Sequence, residues 1–368
     1  MAGIGATNES EQRTMKKRKT PPVRPEKELQ RVLDELSGGK LQEASARAQR
    51  AVERWPQNAK AWLLKALTAD ANGQNERAQN AARRSLELNP QDPQAHNFYG
   101  LLAVRRGMLN VASVAFSRAL TLAPEFPQAL NNMGNLKRGQ GDLTEAARLY
   151  RKALEVAPEY ADAQVNLSLV LSTQGQPEAA ESCARRAYEL GLTAASAFRL
   201  GVVLKEKGDR EAAIAALKEA VACDPSDHRG AGLLLAGLGA APAPERPPTD
   251  YVRQLFDGIA EGYDAHLESD LSYRGPAVLD SVFETAAGDP KDLEILDLGC
   301  GTGLLAAALK HRATRIDGVD LSPAMIEKAR ERDVYDTLTV GEIDAYMSSS
   351  ERQYGAVVAA DVLMYLGD

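Results

Sequence analysis

A chain of 368 residues is too long for one ordinary hydrophobic core and calls for two or three domains. With 44% hydrophobic and 26% charged residues it has the balance of a folded globular protein, and no stretch approaches the roughly 18 to 20 apolar residues that a membrane span needs. The net charge of −7 is unevenly spread: residues 1–24 carry six Lys and Arg against two acids, whereas residues 250–368 carry ten against 23, an acidity that argues against nucleic acid as a partner. Cys183, Cys223 and Cys300 form no C-x-x-C pair, so neither a disulfide framework nor a zinc site is expected. The four histidines, His96, His228, His266 and His311, have no metal-ligand spacing, and no metal is implied. The N-terminus lacks the apolar stretch of a secretory signal, and with scattered cysteines the cytosol is the expected compartment.

Residues 1–24 are poor in apolar side chains and contain Pro21-Pro22, so they are expected to be a disordered basic tail. The run Lys16-Lys17-Arg18-Lys19 could serve as a nuclear address or a polyanion hook, but a solvated tail is the preferred reading.

A 34-residue period follows. Pro56, Pro90, Pro124 and Pro158 are equally spaced, and a glycine recurs at Gly39, Gly73, Gly107, Gly141, Gly175 and Gly208, where a helix must stop and reverse. Five residues after each glycine stands an alanine (Ala44, Ala78, Ala112, Ala146, Ala180, Ala213). Seven further on comes another small residue (Ala51, Ser85, Ala119, Ala153, Ala187, Ala220), on the same helix face, as close helix packing requires. With Trp62, Tyr99, Gly100, Phe116 and Pro124 in register, the pattern resembles the tetratricopeptide (TPR) repeat, two antiparallel helices per 34 residues.

The resemblance implies six repeats, and Leu233, Leu234, Leu235 and Leu238 read as a capping helix over the last of them, so that residues 25–239 form an all-α TPR solenoid. Such an array binds rather than catalyses, with a protein or peptide in its groove as the expected partner. Asn97, Asn131 and Asn135 are placed on first helices where carboxamides could pair with a peptide backbone; docking the next domain is the alternative.

Residues 240–249, AAPAPERPPT, are too rich in proline for any regular element and read as a linker. Beyond it, residues 251–287 read as helices, with Tyr251, Leu255, Phe256, Ile259 and Tyr263 at helical spacing. Leu293–Leu298 is a buried strand running into Gly299-Cys300-Gly301-Thr302-Gly303, after which Leu304 to Leu309 begin a helix. Ile316 to Val319 form a second strand ending in Asp320. Strand, helix, strand predicts a parallel sheet. The glycine turn lets backbone approach a ligand closely, and Asp320 is placed to accept hydrogen bonds from a ribose diol, which implies an adenosine-containing cofactor. The spacing is G-x-G-x-G with Leu304 at the sixth position, which disfavours NAD, and no P-loop is present.

The strings ILDLGCGTG and VDLSPAMIEKAR are similar to those of class I S-adenosylmethionine-dependent methyltransferases. The resemblance implies a Rossmann-like α/β domain over residues 250–368, with S-adenosylmethionine held by Asp297, Gly299, Gly301, Gly303 and Asp320, and by Leu321, Ser322 and Met325 of the following segment. Leu338 to Val340 is the expected third strand, and Ile343 and Asp344 take the place where an acidic side chain meets the adenine amino group. Ala356 to Ala360 is the fourth, and Asp361 opens the loop under the sulfonium. The segment from Leu255 to Asp264, with Tyr273-Arg274-Gly275-Pro276, resembles methyltransferases joined to TPR arrays, where a helix covers the cofactor, so Tyr263 and Arg274 are added as contacts.

No catalytic residue is named. Methyl transfer from a sulfonium is a one-step displacement in which a dedicated base is optional; His266 could deprotonate an acceptor, but a surface role is preferred for it. Ala360-Asp361-Val362-Leu363 departs from the N-P-P-[YF] of relatives that methylate amide or base nitrogens, and the acceptor stays open. The family sheet has seven strands, and only strands 1 to 4 are legible before the sequence ends at Asp368, so a partial domain and a fragment of a longer protein are expected. Two functions follow: methyl transfer with the array recruiting a protein or carrier-bound substrate, or a TPR scaffold bearing an incomplete, inactive remnant.

Overall fold

A computed structural model describes residues 25–267, 272–286 and 290–366; the basic tail 1–24 lies outside the described residues. The architecture is an all-α repeat solenoid followed by an α/β domain with, among the described residues, four parallel strands. The chain divides into two compact units, residues 1–132 and 133–368, the division falling inside the seventh helix, so the last repeats share a unit with the α/β domain.

The first unit holds α1 (Pro25–Ser37), α2 (Leu41–Arg54), α3 (Ala59–Ala71), α4 (Asn75–Leu88), α5 (Pro93–Arg105) and α6 (Leu109–Leu122), followed by α7 (Pro127–Gly139) across the division. The second contains α8 (Leu143–Val156), α9 (Ala161–Thr173), α10 (Pro177–Leu190), α11 (Ala194–Glu206), α12 (Arg210–Cys223) and α13 (Ala231–Gly237). Every helix pair turns at its predicted glycine, with φ between +67° and +84° at Gly107 and Gly208 as the extremes. A side chain there would be strained, which is why glycine recurs. The alanines five residues on, from Ala44 to Ala213, are wholly buried, because paired helices approach too closely for anything larger. At Gly100 and Gly134 even a methyl is excluded: a Cβ would lie 2.5 Å from Phe116 Cε1 and 2.6 Å from Tyr150 Cε1, respectively. The capping helix α13 buries Ala231 and Leu235 against Ala197, Leu217 and Ala220.

The expectation of asparagines lining an open groove is corrected for two of the three. Asn97 and Asn131 are buried, at 8% and 4% exposure, and Asn97 accepts a hydrogen bond from Asn132 Nδ2 at 2.9 Å. Asn135 is half-buried and accepts from the Tyr150 hydroxyl at 2.7 Å. The Asn97 and Asn135 carboxamides thus satisfy groups on neighbouring helices, as buried polar groups must.

The α/β domain runs α14 (Thr249–Ile259), α15 (Tyr263–Ala265), α16 (Gly275–Ala286), β1 (Leu293–Leu298), α17 (Leu304–Leu309), β2 (Ala313–Asp320), α18 (Pro323–Glu331), β3 (Thr337–Val340), α19 (Ile343–Ser349) and β4 (Ala356–Ala359). The sheet order is β3-β2-β1-β4, all parallel. Alternation along β1 sends Ile295 to the face that holds Leu305, Leu309 and Ile316, and Leu296 and Leu298 to the face that holds Val319 and Ile343. β2 starts three residues earlier than its apolar run because Ala313 and Arg315 still pair with β1, at Leu293 and Glu294. The chain steps outward through β2 and β3, then returns to place β4 on the other side of β1. That reversal opens a crevice at the carboxyl ends of β1 and β4, the place where open α/β sheets take ligands.

The last repeat abuts α14 through His228, whose ring nitrogens meet Asp224 at 2.9 Å and Asp250 at 3.1 Å. The Tyr251 ring lies against Gly230, where a Cβ would come within 2.7 Å of it.

Candidate functional site

The glycine turn leaves β1 with Gly299 at φ +67° and Gly301 at φ +52°, and Gly303 at φ +88° opens α17. Backbone N–H groups of Gly299 and Cys300 both bond Val319 O of β2, at 2.8 and 3.0 Å, pinning the turn to the neighbouring strand. The two turn glycines differ in surroundings. A Cβ on Gly299 would strike Val362 Cγ2 at 2.4 Å, whereas one on Gly301 would meet nothing within 4 Å, since it faces open space.

Asp320, at the tip of β2, ties the turn to the next loop: Oδ2 accepts from Gly301 N and Oδ1 from Ser322 N, both at 2.8 Å. Burial nevertheless raises its carboxyl above the ordinary range, those backbone donors offsetting only part of the desolvation. Two donors leave a carboxylate with acceptor capacity to spare.

Around this point a cleft encloses about 810 Å³ of empty space, solvent at its mouth included. Of the predicted contacts, Gly299, Gly301, Asp320, Leu321, Met325, Ile343, Asp344, Asp361 and Tyr263 line it together. Asp297 does not. It is 2% exposed, accepts a 2.7 Å hydrogen bond from the Tyr335 hydroxyl, and faces an adjoining recess shared with Tyr263, Tyr273 and Asp361. Burial, relieved in part by Tyr335 and reinforced by the charge of Asp320, pushes the Asp297 carboxyl up to about 7. Gly303, Ser322 and Arg274 line neither space. Gly303 lies under Tyr335 and Arg332. Ser322 is buried and caps α18 through Met325 N at 3.1 Å. Arg274 stands exposed at the start of α16, and His266 is likewise exposed and lines neither space.

Residues 295–368 match the methyltransferase domain family, and residues 35–102, 125–192 and 167–228 match tetratricopeptide repeat families. The chain carries tetratricopeptide repeats and a methyltransferase domain. Methyltransferase-like protein 27 of Homo sapiens is 33% identical over 112 residues, 30% of this chain and 45% of that protein. A Bacillus subtilis protein described as the uncharacterized methyltransferase YodH is 35% identical over 94 residues, 25% of this chain and 40% of its own length. This chain therefore spans less than half the length of these relatives. Among solved structures, the Cut9-Hcn1 hetero-tetramer of the APC/C superposes with TM-score 0.55 at 20% identity, over 58% of this chain and 43% of that one. The type IV pilus biogenesis factor PilW does so with TM-score 0.51 at 22% identity, over 57% and 98%. At these identities the two likenesses show the repeat fold alone.

The segment from Leu255 to Asp264 is the one whose resemblance implied a helix over the cofactor, but the contacts its side chains make around the methyltransferase domain's cleft carried no signal in the sequence. α14 and α15 are fastened over it by two acids. Asp257 accepts from Ser322 Oγ and from Ala324 N at 3.1 Å, capping α18 across 67 residues of chain. Asp264 takes the Thr302 hydroxyl and the Arg332 guanidinium, and Arg332 Nε also donates to Thr302 O at 2.7 Å, so the glycine turn is clamped from outside. Phe256 meets Tyr263 and Tyr365 edge to face, with ring centroids 6.2 and 5.4 Å apart, and forms an aromatic wall. Asp361 adopts φ +54°, a conformation uncommon outside glycine, and hydrogen-bonds Tyr273. The linker itself supplies Arg246 and Pro247 to the wall.

Among the described residues lining the cleft, Asp320, Glu342, Asp344 and Asp361 are acidic and Arg246 is the one basic side chain. The net field favours a cationic ligand.

Proposed function

We propose that the methyltransferase domain binds S-adenosylmethionine in this cleft and transfers its methyl group, and that the repeat array recruits a protein or a carrier-bound small molecule as acceptor. The observation that carries the reading is the convergence, at the carboxyl ends of parallel strands, of an open glycine turn, a ribose-ready Asp320 and a largely apolar slot ending in Asp344. The residues fit the group. Gly301 leaves room where a side chain would fill the cleft, and the acidic wall suits a sulfonium.

In this reading Asp320 accepts from the ribose hydroxyls, Leu321, Met325 and Ile343 pack against the adenine, and Asp344 accepts from its amino group. The bound cofactor supplies an activated methyl on sulfur. The chain's own work is alignment and exclusion of water: the Phe256–Tyr263–Tyr365 wall closes the apolar side, and Asp361, steadied by Tyr273, stands between cleft and recess where the acceptor would approach. The repeats hold no comparable constellation and serve by presenting helix surface to a partner.

Calorimetric titration of the chain with S-adenosylhomocysteine tests the reading. Binding should appear and weaken roughly tenfold or more in Asp320→Asn, which loses a charge-assisted acceptor. A chain that binds no S-adenosylhomocysteine refutes it.

A further inference from the structure

The proline-rich segment between the repeats and the methyltransferase domain has so far served only as a connection, yet its Arg246 reaches the cleft. Arg246 Nη1 lies 3.3 Å from Asp344 Oδ2, a pairing across 98 residues of chain. Pro247 of the same stretch and Thr249, the first residue of α14, also line the cleft, beside Gly341 and Glu342 from the loop after β3 and Ile343 at the start of α19. The segment is tethered at both ends, by α13 on the last repeat and by α14, so Arg246 is delivered to this position by the fold rather than by a free tail.

An exposed ion pair of this kind adds little stability by itself: the side chains are 48% and 62% exposed, and water screens them. Its significance lies in where it sits. Asp344 ends a slot whose other walls are Leu321, Met325 and Ile343, and a carboxylate that swings freely there reads a base edge poorly. A guanidinium on one oxygen fixes the plane of the carboxylate and leaves acceptor capacity for one more donor. A nucleobase entering the slot would also displace water from the pair and so strengthen it.

From this geometry we propose that Arg246 is a positioning residue for base recognition: the linker orients Asp344 so that the cleft selects a purine bearing an exocyclic amino group. The inference rests on the cofactor reading above and goes beyond it, because it makes the junction between repeats and methyltransferase domain part of the nucleoside site.

The test compares two ligands by calorimetry on the whole chain: S-adenosylhomocysteine and S-inosylhomocysteine, which carries a carbonyl in place of the 6-amino group. The unaltered chain should prefer the adenosyl compound by roughly tenfold or more, the range expected for a hydrogen bond to a charged acceptor. Arg246→Ala should reduce that preference to about threefold or less while changing affinity for the inosyl compound less than about twofold, and Arg246→Lys should restore part of it. A substitution that merely opened the wall would weaken both ligands by the same factor. That result, or an unchanged preference in Arg246→Ala, overturns the inference and leaves the cofactor reading standing; no preference in the unaltered chain overturns the inference and also removes Asp344 as the acceptor for the adenine amino group, leaving only the rest of the cofactor reading. Failure of the unaltered chain to bind either ligand refutes the cofactor reading and this inference with it.

Discussion

Replacing Gly299 and Gly301 separately by alanine should produce two different defects from two glycines one residue apart. Both have positive φ, so either alanine carries a backbone strain of about 1–2 kcal/mol. At Gly299 the new Cβ would also lie 2.4 Å from Val362 Cγ2 and 2.7 Å from Val362 Cβ, a stiff β-branched side chain, and such overpacking costs about 1–3 kcal/mol more. At Gly301 there is no such overlap, but the methyl enters the space through which a ligand must approach the turn. Gly299→Ala should therefore destabilise the methyltransferase domain by about 2–5 kcal/mol and Gly301→Ala by about 1–2 kcal/mol, the latter with a roughly tenfold or greater loss of S-adenosylhomocysteine affinity. The two tryptophans, Trp55 and Trp62, stand in the repeats, so indole fluorescence is blind to this domain. Amide hydrogen exchange at Ile295, Leu296 and Val319 is the suitable measure, paired with calorimetry for the ligand. Equal losses of protection in the two variants, or ligand binding by Gly301→Ala as tight as by the unaltered chain, would refute the account of the turn.

Two further changes probe the same domain. Asp297, whose carboxyl is pushed up to about 7, is neutral in the folded chain over a range where the unfolded chain, near the ordinary value of about 4, has already ionised. Between those values the folded state holds the extra proton, so stability should fall as pH rises from about 4 through about 7, by up to about 4 kcal/mol for the full shift. Exchange protection of β1 should be lower at pH 8 than at pH 5, and Asp297→Asn, which keeps an acceptor for Tyr335, should flatten that dependence. Asp264→Ala removes the partner of both the Thr302 hydroxyl and the Arg332 guanidinium. A loss of about 1–3 kcal/mol is expected, with limited proteolysis first cutting near residues 255–267; resistance equal to that of the unaltered chain would show that the clamp is idle.

Much of this organisation was written in local pattern. The repeat glycines and alanines could be placed by counting because each answers to a constraint within its own helix pair: a left-handed turn at Gly141, a helix contact too close for more than a methyl at Ala146. The strand Leu293–Leu298 and the turn after it were legible for the same reason, an apolar run ending in glycines. Asn97 and Asn131 show where such reading stops. Their place on the first helices was evident, but which helix face is buried depends on the neighbouring repeat, and the contact from Asn132 makes Asn97 part of the packing.

The sequence by itself therefore determined the repeat array, the parallel strand pattern, the glycine turn and the acid at the tip of β2, because each is specified by side chains a few residues apart. Only the tertiary structure decided which of those groups meet. It turned Asp297 and Ser322 inward to support the loops, left Gly303 and Arg274 outside the cleft, and brought Asp257 and Asp264 to the loops that frame it and Arg246 to its wall, through contacts spanning 38 to 98 residues. Those pairings arise where β4 returns beside β1 and where α14 lies across the strand ends. Hydrogen bonds and ion pairs between distant segments have no periodicity to betray them, since they come into being only when the sheet is closed and the linker is drawn along its edge.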